Sequence, residues 1–229
     1  MGGINVKNTI FEHMLKIIAP HPCSGCGKVG NILCNDCKYD IINDPFVGCF
    51  LCGAPQIEGI CPIHNSPIQR AYIASVRVGT LETVINRLKF EHAKAAARPL
   101  AEVLYESLPV LPSDIQLVPI PTVRSHIRQR GYDQVDLITR HLAELTHLPV
   151  VTALQRGTND TQHHVGRTER IQQATKAFSL INGDQLTKGP ILLIDDIVTT
   201  GSTFQAAAQL LKNAGFTVWV AALAYQPLD

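Results

Sequence analysis

With 229 residues, 45% of them hydrophobic and 17% charged, the chain has the make-up of a globular protein rather than a disordered one. A net charge of +1 excludes a grossly basic nucleic-acid binder but leaves local basic patches open. The longest apolar runs, such as Trp219–Tyr225, are too short to span a bilayer, and the N-terminus lacks the pattern of a signal peptide. A cytoplasmic protein without membrane insertion is expected, with room for one α/β domain plus a small module.

In chain order, the first element is a short amphipathic helix over Asn8–Ile18, ended by Pro20 and Pro22. All seven cysteines then fall between Cys23 and Cys61, in pairs: Cys23-x2-Cys26, Cys34-x2-Cys37, Cys49-x2-Cys52 and Cys61-x2-His64. Disulfides are disfavoured in a reducing compartment, and a C-x2-C knuckle sets two thiolates on one side of a tight turn. Eight such ligands suffice for two tetrahedral zinc sites, one or both of them filled. The sites pair either sequentially (Cys23, Cys26, Cys34, Cys37, then Cys49, Cys52, Cys61, His64) or cross-braced. Residues 1–66 would form this zinc module and residues 67–229 the main domain, with Pro62 and Pro67 at the boundary. Residues 1–64 hold four lysines against five acidic residues, so the cysteine region is net acidic and a poor partner for a phosphate backbone.

Alternating elements follow. Strands are expected near Ala71–Val78, Ile115–Ile120, Pro149–Leu154, Ile191–Ile194 and Phe216–Ala224. Helices are expected over Leu81–Phe90, Ala93–Leu108, Asp133–Leu145 and Thr203–Ala214, with an irregular, partly helical loop around Arg156–Thr175. Strands alternating with helices argue for a parallel sheet flanked by helices on both faces.

The densest signal is Ile191–Thr203, ILLIDDIVTTGST. An apolar run bounded in this way reads as a buried strand. Thr199, Thr200, Gly201, Ser202 and Thr203 stand where strand passes into helix, and free N–H groups at a helix start form an anion site. Asp195 and Asp196, just before the turn, suit hydroxyl groups or a divalent cation instead. A sugar phosphate satisfies both ends. No lysine lies between Pro190 and Gln205, so this is not a Walker A loop, and the lone Gly201 excludes a dinucleotide fingerprint. The pattern resembles the phosphoribosyl-pyrophosphate (PRPP) motif of the type I phosphoribosyltransferases.

Two further polar segments follow expected strands, where open α/β sheets bind ligands. One is Pro119-Ile120-Pro121 with Arg124, Arg128 and Arg130-Gly131-Tyr132-Asp133-Gln134; the other is Arg156 with Thr161, Gln162, His164, Arg167 and Arg170, followed by Ala177 and Phe178. Arginine brings forked donors suited to phosphate, and a basic loop beside a pyrophosphate can close over it.

In this order, the helix, the knuckles, the Pro119–Gln134 and Arg156–Phe178 runs and the loop resemble the ComF/GntX family of competence-associated phosphoribosyltransferase-like proteins. The resemblance implies a type I phosphoribosyltransferase fold, PRPP with Mg²⁺ as ligand, structural zinc, and a part in handling incoming DNA during natural transformation. It implies that Asp195 and Asp196 meet the ribose diol and that Thr199–Thr203 hold the 5′-phosphate. Pro119, Ile120, Pro121, Arg124 and Arg130 fall on the pyrophosphate side. Arg156, Thr161, Gln162 and Arg170 correspond to the flexible loop that serves catalysis. His64 departs from the pattern, standing where many relatives would have a cysteine. The chain ends just after the last strand, so an acceptor-covering hood would come from the segment before the sheet, and nothing there names an acceptor.

Three functions fit. The first is a PRPP-binding accessory protein of DNA uptake, with single-stranded DNA and other uptake proteins as partners. The second is an active phosphoribosyltransferase of nucleotide salvage or synthesis, and the third a zinc finger beside a vestigial enzyme. Any DNA would run along the arginines after Val118, with Tyr132 and Phe178 as sparse stacking partners.

Overall fold

The computed structural model describes residues 21–56, 59–157 and 177–227. Four strands form one parallel sheet: β3 (Ile68–Val76), β4 (Gln116–Pro119), β7 (Ile191–Val198) and β8 (Val218–Tyr225), in the order β3-β8-β7-β4. The expected parallel α/β architecture is therefore present. Two antiparallel ribbons accompany it, β1 (His21–Pro22) with β2 (Val29–Gly30), and β5 (Leu154–Arg156) with β6 (Phe178–Leu180).

The central runs of the strands are apolar because both faces of the sheet are covered, and alternate residues serve different cores. Leu117, Leu192, Ile194, Trp219, Ala221 and Leu223 point into one core. There they meet α1 (Asn35–Ile42), α2 (Gly79–Phe90), α3 (Ala97–Ser107) and α5 (Gln134–Thr146). Val118, Ile191, Leu193, Val218, Val220 and Ala222 point the other way, towards α6 (Ser202–Asn213) and the β5–β6 ribbon. The remaining helix, α4 (Arg124–Arg130), lies on the connection between β4 and α5.

Each cysteine group is built into one of these cores. Cys23, Ile32, Leu33, Cys37 and Ile41 belong to the first, whereas Phe50 belongs to the second. Between them the chain crosses the outer side of β3: Pro45 bridges Ser75 antiparallel, Phe46 N–H donates to Ala74 O, and Ser75 Oγ donates to Asp44 O. At the far side of the sheet, Val150 makes a single parallel bridge to Leu117.

The expected elements within the described residues are found with shifted ends, whereas the partly helical loop expected around 156–175 lies almost wholly outside them. The 191–194 run continues to Val198, carrying both aspartates inside the strand. The segment read as a strand at 149–154 is strand only at Leu154–Arg156, because Val150 makes one bridge and no ladder. The arginine-rich turn holds the helix α4, which Gly131 ends in the left-handed conformation at φ 76°. The amphipathic helix over Asn8–Ile18 lies outside the described residues.

Candidate functional site

The site sits at the carboxyl ends of β4 and β7. Ile120 N–H donates to Ile194 O at 2.8 Å, so the Pro119–Pro121 turn runs beside the aspartate pair. Asp133 fixes this turn: its carboxylate accepts from Thr122 N and Oγ1 and also caps α5 through Val135 N and Asp136 N. Arg156 closes the far side, its Nε donating to Pro121 O at 3.1 Å while its guanidinium lies 5.2 Å from the Phe178 ring.

The two aspartates have different surroundings. Asp196 is buried, and Lys89 of α2 stands 3.0 Å from both of its carboxylate oxygens. Gln134 Nε2 donates to Asp196 Oδ2 at 3.1 Å, and Arg130 Nη1 in turn donates to Gln134 Oε1 at 2.7 Å. Arg130 is thus buried, at the base of a relay ending on Asp196, with its guanidinium 5.6 Å from the exposed Phe90 ring. Among the described residues no cation forms such an ion pair with Asp195. Burial and the adjacent Asp196 charge push its carboxyl well above the usual range, against a lowering bond from Asp196 N–H.

The loop continues directly from the strand. Gly201 takes a left-handed φ of 71° and is the N-cap of α6, so no side chain caps the helix there. Thr200 Oγ1 accepts from Ser202 N–H at 3.3 Å and donates to Ser202 Oγ at 3.0 Å, while Thr199, Thr200 and Ser202 are exposed. Hydroxyls and helix-start N–H groups turned to solvent are the ingredients of an anion cradle.

Arg124, Arg128 and Arg156 line a cleft of about 620 Å³ with Val123, Ile127 and Ala177. Among the described residues these arginines have no carboxylate partner, whereas Arg77, Arg87, Arg98 and Arg140 each do. The aromatic residues expected to stack are covered: Tyr132 is buried with its hydroxyl on Leu88 O, and Phe178 lies beneath Arg156. Thr161, Gln162, His164, Arg167 and Arg170 lie outside the described residues.

The cysteines assemble in sequential order. Cys23, Cys26, Cys34 and Cys37 form one group, and Cys49, Cys52, Cys61 and His64 the other, the ligand atoms of each within 4.8 Å of one another. Tetrahedral zinc with bonds of ~2.3 Å puts sulfurs about 3.8 Å apart. Cys26 and Cys34 Sγ are 3.7 Å apart, and Cys52 and Cys61 Sγ 3.4 Å. The main-chain N–H of Cys34 donates to Cys23 Sγ, and that of Cys61 to Cys49 Sγ, both at 3.3 Å. Burial disfavours the Cys23 and Cys49 thiolates, but the N–H groups facing them outweigh it and lower both thiols to about 6. Among the described residues, the buried His64 Nε2 has no hydrogen-bond partner, an arrangement a metal would satisfy. Both groups could hold zinc, the histidine group included.

Sequence reasoning missed Lys89, and it quoted Asp133 and Gln134 only as members of the arginine-rich run, without the turn-fixing part of the one or the bond of the other to Asp196. Lys89 is 107 residues from Asp196 and Gln134 is 62, so no local pattern announces them.

Fold and site together define a parallel α/β protein with an acidic strand end and an exposed hydroxyl-rich loop before a helix, carrying two groups of cysteine-rich residues that could hold metal. No family model matches the chain. It is 32% identical over 209 residues to the DNA utilization protein YhgH of Escherichia coli O6:H1, covering 82% of this chain and 88% of that protein. It is 28% identical over 199 residues to competence protein F of Haemophilus influenzae, covering 81% and 86%. Over 99 residues it is 31% identical to competence protein ComFC of Bacillus subtilis, covering 43% and 39%. The chain belongs to the family of these competence and DNA utilization proteins. Solved structures with distant likeness include an allosteric regulatory enzyme of purine biosynthesis, at a TM-score of 0.41 and 19% identity over 57% of this chain and 25% of that one. Another is adenine phosphoribosyltransferase from Thermoanaerobacter pseudethanolicus, at 0.39 and 16% over 65% and 88%.

Proposed function

We propose that the chain is a PRPP-binding, phosphoribosyltransferase-like protein of cytoplasmic DNA uptake and utilisation. The observation that carries the ligand is the succession at the end of β7: an acidic strand end, a loop with Thr199, Thr200 and Ser202 exposed, and a start of α6 with glycine at the N-cap. The 5′-phosphate would occupy Thr199–Thr203, and Asp195 would accept from the ribose hydroxyls while Lys89 and Gln134 hold Asp196 in place. The diphosphate, with its Mg²⁺, would lie towards the Pro119–Pro121 turn. If transfer occurs, the acceptor's nucleophilic atom bonds to the anomeric carbon as pyrophosphate leaves it with the C–O electron pair, and cationic groups on that side stabilise the departing charge. The printed names of the relatives, competence protein and DNA utilization protein, supply the biological setting.

The cleft of Arg124, Arg128 and Arg156, which have no carboxylate partner among the described residues, supports single-stranded DNA as a second, polyanionic ligand, alongside a transferase reading for the same site. In both cysteine groups zinc would be structural, because four protein ligands leave no position for water.

The test is calorimetry with PRPP and Mg²⁺, followed by a screen for pyrophosphate release over candidate acceptor bases. Binding without release favours the accessory role, and release with one acceptor establishes the transferase. No binding of PRPP at millimolar concentration sinks the proposal.

A further inference from the structure

The second cysteine group is in direct contact with the anion loop. Phe50 and Leu51 are the two residues between Cys49 and Cys52, so a metal there would close the knuckle that presents them. A Cβ built on Gly201 would stand 2.5 Å from Phe50 Cε2 and 2.7 Å from Leu51 Cδ2, so both side chains press on the bare backbone of the loop. Gly201 therefore has two reasons to be glycine: its left-handed φ and this contact. Phe50 is fully buried and meets Phe204, in the first turn of α6, edge-on at 6.3 Å. Its N–H donates to Gly59 O, and Cys61 N–H donates to Cys49 Sγ, tying both halves of the group to the same turn. The next residue of α6, Gln205, donates through Nε2 to Ser66 Oγ, two residues past His64. The first cysteine group packs instead in the core on the opposite face.

We infer that the Cys49/Cys52/Cys61/His64 group is the positioning device of the anion loop, acting through Phe50, so that metal occupancy there and phosphate binding at Thr199–Thr203 stabilise each other. The inference rests on the reading of that loop as a phosphate site. Its physical basis is that a loop held in one conformation before the ligand arrives loses less conformational freedom on binding. Phe50 and Leu51 supply the wall that holds Gly201, and the bound metal fixes the turn that carries them. Coupling between two sites is necessarily reciprocal, so each ligand should make the other harder to remove.

The experiment uses the full chain, inorganic phosphate as probe, and zinc content as an independent readout. Phe50→Ala is expected to keep both zinc equivalents yet lose roughly tenfold in phosphate affinity, inside the range usual for coupled sites. Cys52→Ser should lose one zinc equivalent and show a similar loss of phosphate affinity. Ile41→Ala, a core truncation beside the first group, should change phosphate affinity by less than about twofold. Should Phe50→Ala fail to fold, Phe50→Leu keeps the apolar fill, removes the ring, and should still weaken phosphate binding. Conversely, saturating phosphate should slow chelator extraction of one of the two zinc equivalents and leave the other unchanged.

Wild-type chain that does not bind phosphate would remove the loop reading and this inference with it. Wild-type binding that neither Phe50 variant alters overturns the inference alone. So does an equal loss in Ile41→Ala, or zinc extraction that phosphate leaves unchanged.

Discussion

Replacing Lys89 with methionine isolates the interaction that most distinguishes the two aspartates. Lys89 and Asp196 side chains are 15% and 7% exposed, so the pair is largely out of water. At the observed 3.0 Å and an effective dielectric constant near 20, the gross attraction is roughly 5 to 6 kcal/mol. Removing one partner of a buried pair costs about 3 to 5 kcal/mol, because the remaining charge is stranded. Lys89 retains some contact with water, and Gln134 still donates to Asp196, so the low end applies: about 3 kcal/mol. For a domain of this size that corresponds to a fall in Tm of roughly 6–12 °C. Lys89→Met with Asp196→Leu should recover most of the stability, since apolar replacement of a whole buried pair is often neutral. PRPP affinity should fall in both variants, because the strand end is altered in each. Thermal and denaturant unfolding of the four proteins in the double-mutant cycle supply the measurement. A loss below 1 kcal/mol in the single variant, with no recovery in the double, would refute the argument that a buried charge is held by its partner.

Three other outcomes are expected. Elemental analysis of chain purified without chelator should give close to two zinc per chain, and Cys23→Ser should impair folding; fewer than one zinc would contradict the structural assignment. Asp195 has a raised carboxyl pKa, so the folded chain binds the extra proton and loses stability as pH rises above the unfolded value of 3.8. Asp195→Asn should therefore raise the neutral-pH Tm of the ligand-free protein, and this gain should fade towards pH 4. PRPP affinity should meanwhile fall by more than affinity for inorganic phosphate. Melts from pH 4 to 8 check the first part and calorimetry the second. Arg124→Ala with Arg128→Ala should weaken single-stranded oligonucleotide binding and lower its salt slope by about 1.4; an unchanged slope would put the nucleic acid elsewhere.

The parts of the site legible in the sequence are those whose chemistry is contiguous. Asp195 through Thr203 declare themselves because strand, acids, loop and helix start follow one another without a gap. The cysteine pairs do so through a fixed spacing, although only the assembled geometry selects sequential over cross-braced grouping. Arg124 and Arg130 look equivalent in sequence but differ in the fold. Arg124 faces the cleft, whereas Arg130, at the end of α4, turns inward onto Gln134. Phe50 carries no signal at all, because its neighbour Gly201 is 151 residues away and the contact exists only once the knuckle lies against α6.

The strap at Asp44–Phe46 has a consequence for misassembly. β3 is one of the two outer strands of the sheet, and an outer strand presents unpaired main-chain groups that recruit other chains. Pro45 and Phe46 occupy part of that margin, and they lie between the two cysteine groups, anchored at Cys37 on one side and Cys49 on the other. Stripping the metals would slacken the strap at both ends and uncover a template for intermolecular strand pairing. Chelation should thus yield β-rich aggregates, which core truncation alone, as in Leu142→Ala, should not produce at equal stability. In this fold the sulfur ligands would serve solubility as well as structure.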